Sequence, residues 1–236
     1  MTVRTGPSCE TVFLRVPIEE GFLEGELTCP PKPQGVVVFA HGSGSSRHSR
    51  RNQFVARTLE RRELGTLLID LLTPSEEDVD NRTAQYRFDI PMLAARLVAI
   101  VDWLRKRPDT AKLPIGLFGA STGGGAALMA AAERPNDVAA VVSRGGRPDL
   151  AGRALHVVKA PTLLIVGGLD VPVIQMNRDA LKQMSGEVKL EIVPGATHLF
   201  EEPGTLALVA DLAGQWFARH LQPAGSIGRG ASSANP

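Results

Sequence analysis

The chain opens with two β-like runs, Thr11–Val16 and Phe22–Cys29, separated by a short segment with Pro17 and Gly21 that suits an antiparallel hairpin. The pattern then changes. Gly35–Ala40 (GVVVFA), Thr66–Ile69, Ile115–Phe118, Val138–Val142, Thr162–Val166 and Val188–Val193 are short, nearly continuous apolar runs, as parallel strands covered on both faces require. Helical spacing fills the gaps between them. Over Met92–Arg107, Leu93, Leu97, Ile100, Val101 and Leu104 form one apolar stripe, with Arg96, Arg105 and Lys106 assigned to the opposite face. A last helix over Thr205–Leu221 places Leu206, Val209, Ala213, Trp216 and Phe217 on one side.

Strands alternating with helices after an antiparallel start predict an α/β fold: a mostly parallel twisted sheet with helices on both faces. We expect one such domain over 1–222, followed by a Gly-, Ala- and Ser-rich tail over 223–236 that is too poor in apolar surface to order itself. The acidic cluster Glu76, Glu77, Asp78 and Asp80 reads as a solvated loop.

Composition narrows the function classes. With 236 residues, length favours one domain. Lys+Arg 26 against Asp+Glu 25 lacks the cationic excess of a general nucleic-acid binder. The two cysteines, Cys9 and Cys29, suggest a reducing compartment, and there is neither a signal-like h-region near Met1 nor a run of 18 apolar residues. The expectation is a soluble cytoplasmic protein, monomer or homodimer, with no nucleic-acid or membrane partner.

In open α/β sheets ligands sit beyond the C-terminal ends of the strands, so the residues after each apolar run carry the chemistry. After Ile115–Phe118 comes Gly119-Ala120-Ser121-Thr122-Gly123, a G-x-S-x-G motif between a strand and a helix-forming stretch. The glycines suit a sharp, crowded turn that exposes Ser121, and the helix N-terminus favours negative charge developing nearby. A serine hydroxyl needs a base, and a histidine base needs a group to hold its tautomer. Asp170 follows Thr162–Val166 in Gly167-Gly168-Leu169-Asp170, and His198 follows Val188–Val193 in Gly195-Ala196-Thr197-His198. Alone, Asp170 reads as a helix N-cap and His198 as a loop histidine; together with Ser121, in this order, they read as nucleophile, acid and base. Gly35–Ala40 leads into His41-Gly42-Ser43-Gly44, where the backbone N–H of Ser43 joins that of Thr122 as oxyanion donors. His41 reads as a structural residue bonding this loop.

These motifs, HGSG, GASTGGG, GGLD and GATH, resemble those of the α/β-hydrolase superfamily, and specifically its small capless members similar to dienelactone hydrolases. The resemblance covers about Val12–Leu221 and implies a triad of Ser121, Asp170 and His198 with no cofactor and no metal. Two positions depart from the family pattern. Authentic dienelactone hydrolases carry a cysteine nucleophile where Ser121 stands, and an arginine beside the catalytic histidine where this chain has Leu199-Phe200. The expectation is therefore hydrolysis of small or soluble carboxylic esters rather than of the dienelactone in particular.

Only residues 143–160 separate Val142 from Pro161, leaving no room for a lid domain. Arg144 at a strand end, and Arg47, His48, Arg50 and Arg51 after HGSG, are candidates to hold a substrate carboxylate, with Arg144 and His48 as the selected contacts. The opposing reading makes them solvated charges or partners of Asp149, Glu201 and Glu202. Gly42-Ser43-Gly44 with Asp70 also resembles the start of a dinucleotide fingerprint, but Arg47 occupies the third glycine position. A non-catalytic ligand sensor, or acyl transfer to thioester, peptide or peroxide substrates, would use the same residues.

Overall fold

The computed structural model describes residues 9–222. The hairpin forms as β1 (Glu10–Ile18) and β2 (Gly21–Cys29), paired antiparallel from Glu10↔Cys29 to Ile18↔Gly21. The apolar runs become β3 (Val36–Ala40), β4 (Gly65–Ile69), β5 (Ile115–Ala120), β6 (Val138–Arg144), β7 (Thr162–Gly167) and β8 (Val188–Val193). Together they make one eight-stranded sheet in the order β1-β2-β4-β3-β5-β6-β7-β8, parallel from β4 onward, with β2 antiparallel to β4.

Period-two alternation within the buried strands divides the core in two. Val36, Val38 and Ala40 of β3 face helices α3 (Ile90–Lys106) and α4 (Thr122–Glu133), whereas Val37 and Phe39 face α1 (Arg50–Glu60) and α6 (Thr205–His220). Helix α5 (Val171–Leu181) joins the first face through Ala180. The β6–β7 connection holds a 3-10 segment, Pro148–Val157, laid against α4 rather than a lid. β8 differs from expectation: it is a sheet edge, and only Val193 along it is fully buried.

Two sequence expectations are corrected. The acidic cluster is not a loop but part of helix α2 (Pro74–Thr83), started by a capping box in which Thr73 Oγ1 accepts from Glu76 N and Glu76 Oε2 accepts from Thr73 N at 2.8 Å. Arg96 is not on a solvated face of α3. It is buried, donating to Glu76 Oε1 at 2.6 Å, because α2 lies across that side of the helix. The proposed tail over 223–236 lies outside the described residues.

Cys9 and Cys29 are free thiols, and burial pushes the Cys29 thiol up to about 11. Among the described residues no helix is long and apolar enough to cross a membrane.

Candidate active site

β3 has β4 on one side and β5 on the other, so the chain leaves the C-terminal ends of β3 and β5 in divergent directions and opens a crevice between them. Ser121 stands in it, at the sharp turn between β5 and α4, with φ 50 and ψ −120. The surroundings dictate that conformation. Its N–H donates to Arg144 O at 3.2 Å, and its own carbonyl accepts from Gly124 N and Arg147 N, both at 3.0 Å. The flanking glycines are required by space: a Cβ at Gly119 would lie 2.5 Å from Gly124 Cα, and one at Gly123 would collide with Ala40 O. Ser121 makes no side-chain cap to α4, which leaves its hydroxyl free for the crevice.

Asp170 does occupy the N-cap position of α5, as its sequence context suggested, but its carboxylate caps nothing. Its Oδ2 lies 2.6 Å from His198 Nδ1 instead. That acceptor fixes the proton on Nδ1 and turns the Nε2 lone pair toward Ser121 Oγ, 3.4 Å away. The latter contact is at the long end of the hydrogen-bond range. The loop carrying His198 is braced by Glu202, whose carboxylate accepts from Thr197 Oγ1 at 2.6 Å and from Thr197 N at 3.1 Å. The Thr197 hydroxyl holds the Glu202 carboxyl below its usual range. Glu202 is thus no arginine partner, and sequence reasoning missed its role because the bracing bond closes only once the loop folds back.

The HGSG loop approaches the same point: a Cβ on Gly42 would lie 3.1 Å from Ser121 Cβ. Ser43 N–H has no protein acceptor among the described residues, and Thr122 N–H, at the first position of α4, has no partner within its helix. His41 accepts from Leu71 N at Nε2 (3.0 Å), so Nδ1 carries the proton and donates to Gly42 O (3.1 Å). Burial lowers its pKa and keeps it neutral. Asp70, the acid of the dinucleotide-like pattern, accepts from Arg47 N (2.6 Å) and from the Arg47 guanidinium.

A cavity of about 200 Å3 opens over Ser121, lined by His198, Leu199, Arg51, Asn52 and Arg144 among others. A smaller one of about 60 Å3 lies on the far side of Ser43 and Thr122, against α2. Arg144 therefore joins Ser121, whereas His48 does not: it is exposed and lines a separate depression with Asp70, Leu72 and Glu77. Asn52, buried at the start of α1, was not singled out from sequence; it accepts from Arg144 Nη2 at 3.2 Å.

Ser121, His198 and Asp170 thus stand in one hydrogen-bonded line at the strand ends, and comparison with known proteins bears on the chain as a whole. The profile of the "Dienelactone hydrolase family" matches residues 25–213. The chain belongs to the dienelactone hydrolase family. This family member is similar to a dienelactone hydrolase of Anabaena variabilis, with 59% identity, a TM-score of 0.90, and coverage of 91% of this chain and 99% of that one. It shares its fold with carboxyl esterase 2 of the fungus Tuber melanosporum at 16% identity and TM-score 0.71, covering 93% and 90% of the two chains. Among curated proteins it is 59% identical over 204 residues to a "Putative phosphoribosyl transferase" of Mycobacterium tuberculosis. That match covers 86% of this chain but only 45% of the relative, so the family member spans less than half the length of the curated proteins it matches.

Proposed function

We propose that the chain is a serine hydrolase of small or soluble carboxylic esters, acting through an acyl-enzyme. The supporting observation is the line from Asp170 through His198 to Ser121, with bonds of 2.6 and 3.4 Å, at the C-terminal ends of three parallel strands. His198 Nε2 takes the proton of Ser121 as Oγ attacks the ester carbonyl, and Asp170 supports the imidazolium that results. The N–H groups of Ser43 and Thr122 receive the oxyanion; a lost donor of this kind costs about 2.7–4 kcal/mol of transition-state stabilisation. As the tetrahedral adduct collapses, His198 gives its proton to the departing alcohol. It then deprotonates a water that attacks the acyl group, which releases the acid and restores Ser121.

A small ester is favoured over a long lipid because the His198 side chain is 38% exposed and the β6–β7 connection lies against α4. An ester is proposed rather than the dienelactone because Ser121 and Leu199-Phe200 stand where the family pattern has cysteine and arginine. The two free thiols support a reducing, cytoplasmic setting. The transferase in the name of the mycobacterial relatives is not carried over, since this chain spans 45% of their length and its own residues 25–213 match the hydrolase family. Hydrolysis of p-nitrophenyl esters from acetate to octanoate tests the reading. Turnover should fall with acyl length and vanish in Ser121→Ala; a folded wild type no faster than that variant on any ester would contradict it.

A further inference from the structure

Arg144 has no task in the proposed hydrolysis, yet its placement is costly. It is buried, with 6% of its surface exposed, no carboxylate lies within ion-pair distance of it among the described residues, and its Nε is buried without a partner. The acids nearby in sequence or space are taken: Asp149 by Arg147 at 2.7 Å, Glu201 by Arg51 at 3.2 Å, and Glu202 by Thr197. Burial, and then the charge of Arg51 on the same cavity, pull Arg144 below the usual guanidinium range to about 10, so it remains a cation at neutral pH. A buried charge without a counter-ion is strongly destabilising, and a structure that keeps one needs a reason.

The fold aims this cation instead of neutralising it. Nη2 donates to Asn52 Oδ1, and the guanidinium lies 5.9 Å from the centre of the Phe200 ring. Arg144 is paired across the sheet with Ala120, one residue before the nucleophile, and its own carbonyl accepts the Ser121 N–H. The side chain thus faces the cavity over Ser121, whose 200 Å3 is below the roughly 300–1,000 Å3 of sites that take drug-sized ligands.

We infer that this cavity is an anion subsite, in which Arg144 supplies the counter-charge for a carboxylate or phosphoryl group carried by a small ester substrate. The inference rests on the ester-hydrolase reading for what is cleaved, but binding of the anion stands apart from turnover. The guanidinium fork suits either group, because both present paired oxygens to parallel N–H donors.

Calorimetric titration of the full chain carrying Ser121→Ala, which binds without turning over, tests it with three methyl esters: monomethyl succinate, methyl phosphonoacetate and the neutral dimethyl succinate. At least one anionic ester should bind about 10- to 100-fold more tightly than the neutral one, the range expected for hydrogen bonds to a charged group. A preference for the first identifies a carboxylate and for the second a phosphoryl group. Adding Arg144→Met should erase the preference while leaving dimethyl succinate within a few-fold of its former affinity. Arg144→Gln, which retains a donor for Asn52, should give the same loss if the methionine variant does not fold. Anionic esters binding no better than dimethyl succinate, or a preference that survives both folded substitutions, would overturn the inference. Anion binding without any turnover by the wild type would remove the hydrolase reading and leave the subsite standing; serine-dependent turnover with no anion preference would do the reverse.

Discussion

Ser121 is held at φ 50, a conformation that costs a non-glycine residue roughly 1–3 kcal/mol, and three backbone hydrogen bonds together with the glycines around it keep it there. The neighbouring His41 shows how the loop opposite is fixed by a neutral imidazole that both donates and accepts. Its pKa is lowered in the fold, first by burial, so below the ordinary histidine value of about 6.5 the unfolded chain binds a proton that the folded chain refuses. Stability should therefore be full above that value and decline as pH falls through it, with His220, also lowered by burial, adding in the same direction. Urea unfolding between pH 5 and 8 should show a shallower decline in His41→Gln than in wild type, and an identical slope would contradict the assignment. At this scale the adjacency of Ser121, Asp170 and His198 was legible, because each directly follows an apolar run and strand ends converge. The surroundings of Arg144 were not. The sequence offers three acids as its partners, and only the folded chain shows that all three are committed elsewhere.

Helix α2 carries the largest difference between pattern and structure. Its segment, PSEEDVDNRT, has too few apolar residues to display a stripe, so composition alone points to a solvated loop. The signal that was available is local: Thr73 with Glu76 three residues on, and Pro74 at the first helical position. What holds α2 in place is polar. Glu76 takes the buried Arg96 of α3, and Asp80, 3% exposed, accepts from Tyr86 N, Arg87 N and Arg87 Nε. Those donors hold the Asp80 carboxyl below its usual range against the opposing effect of burial. Because the segment walls the small cavity beside Ser43 and Thr122, its rigidity bears on the site. Asp80→Ala leaves Arg87 Nε and two backbone N–H groups without their carboxylate acceptor and should cost about 3 kcal/mol in equilibrium unfolding; a loss under about 1 kcal/mol, the worth of an exposed pair, would show that α2 is held by something else.

For the molecule as a whole, the two-period and 3.6-period patterns were enough to predict a mostly parallel sheet with helices on both faces, because burial on both faces shows in each central strand. Strand order was not legible, since pairing of β2 with β4 and the reversal about β3 are set by long-range contacts that leave no local mark. That reversal nonetheless places the ends of β3 and β5 side by side, so that the loop carrying Ser43 and the start of α4 at Thr122 line one cavity. The account stands on Ser121 being an activated nucleophile in that crevice. The most direct measurement is labelling of the wild-type chain with a fluorophosphonate probe, followed by mass spectrometry of the digested protein. A covalent adduct on Ser121, absent from Ser121→Ala and much slower to form in His198→Ala, is the result expected. A folded chain that takes no label, or takes it at another residue, would contradict it.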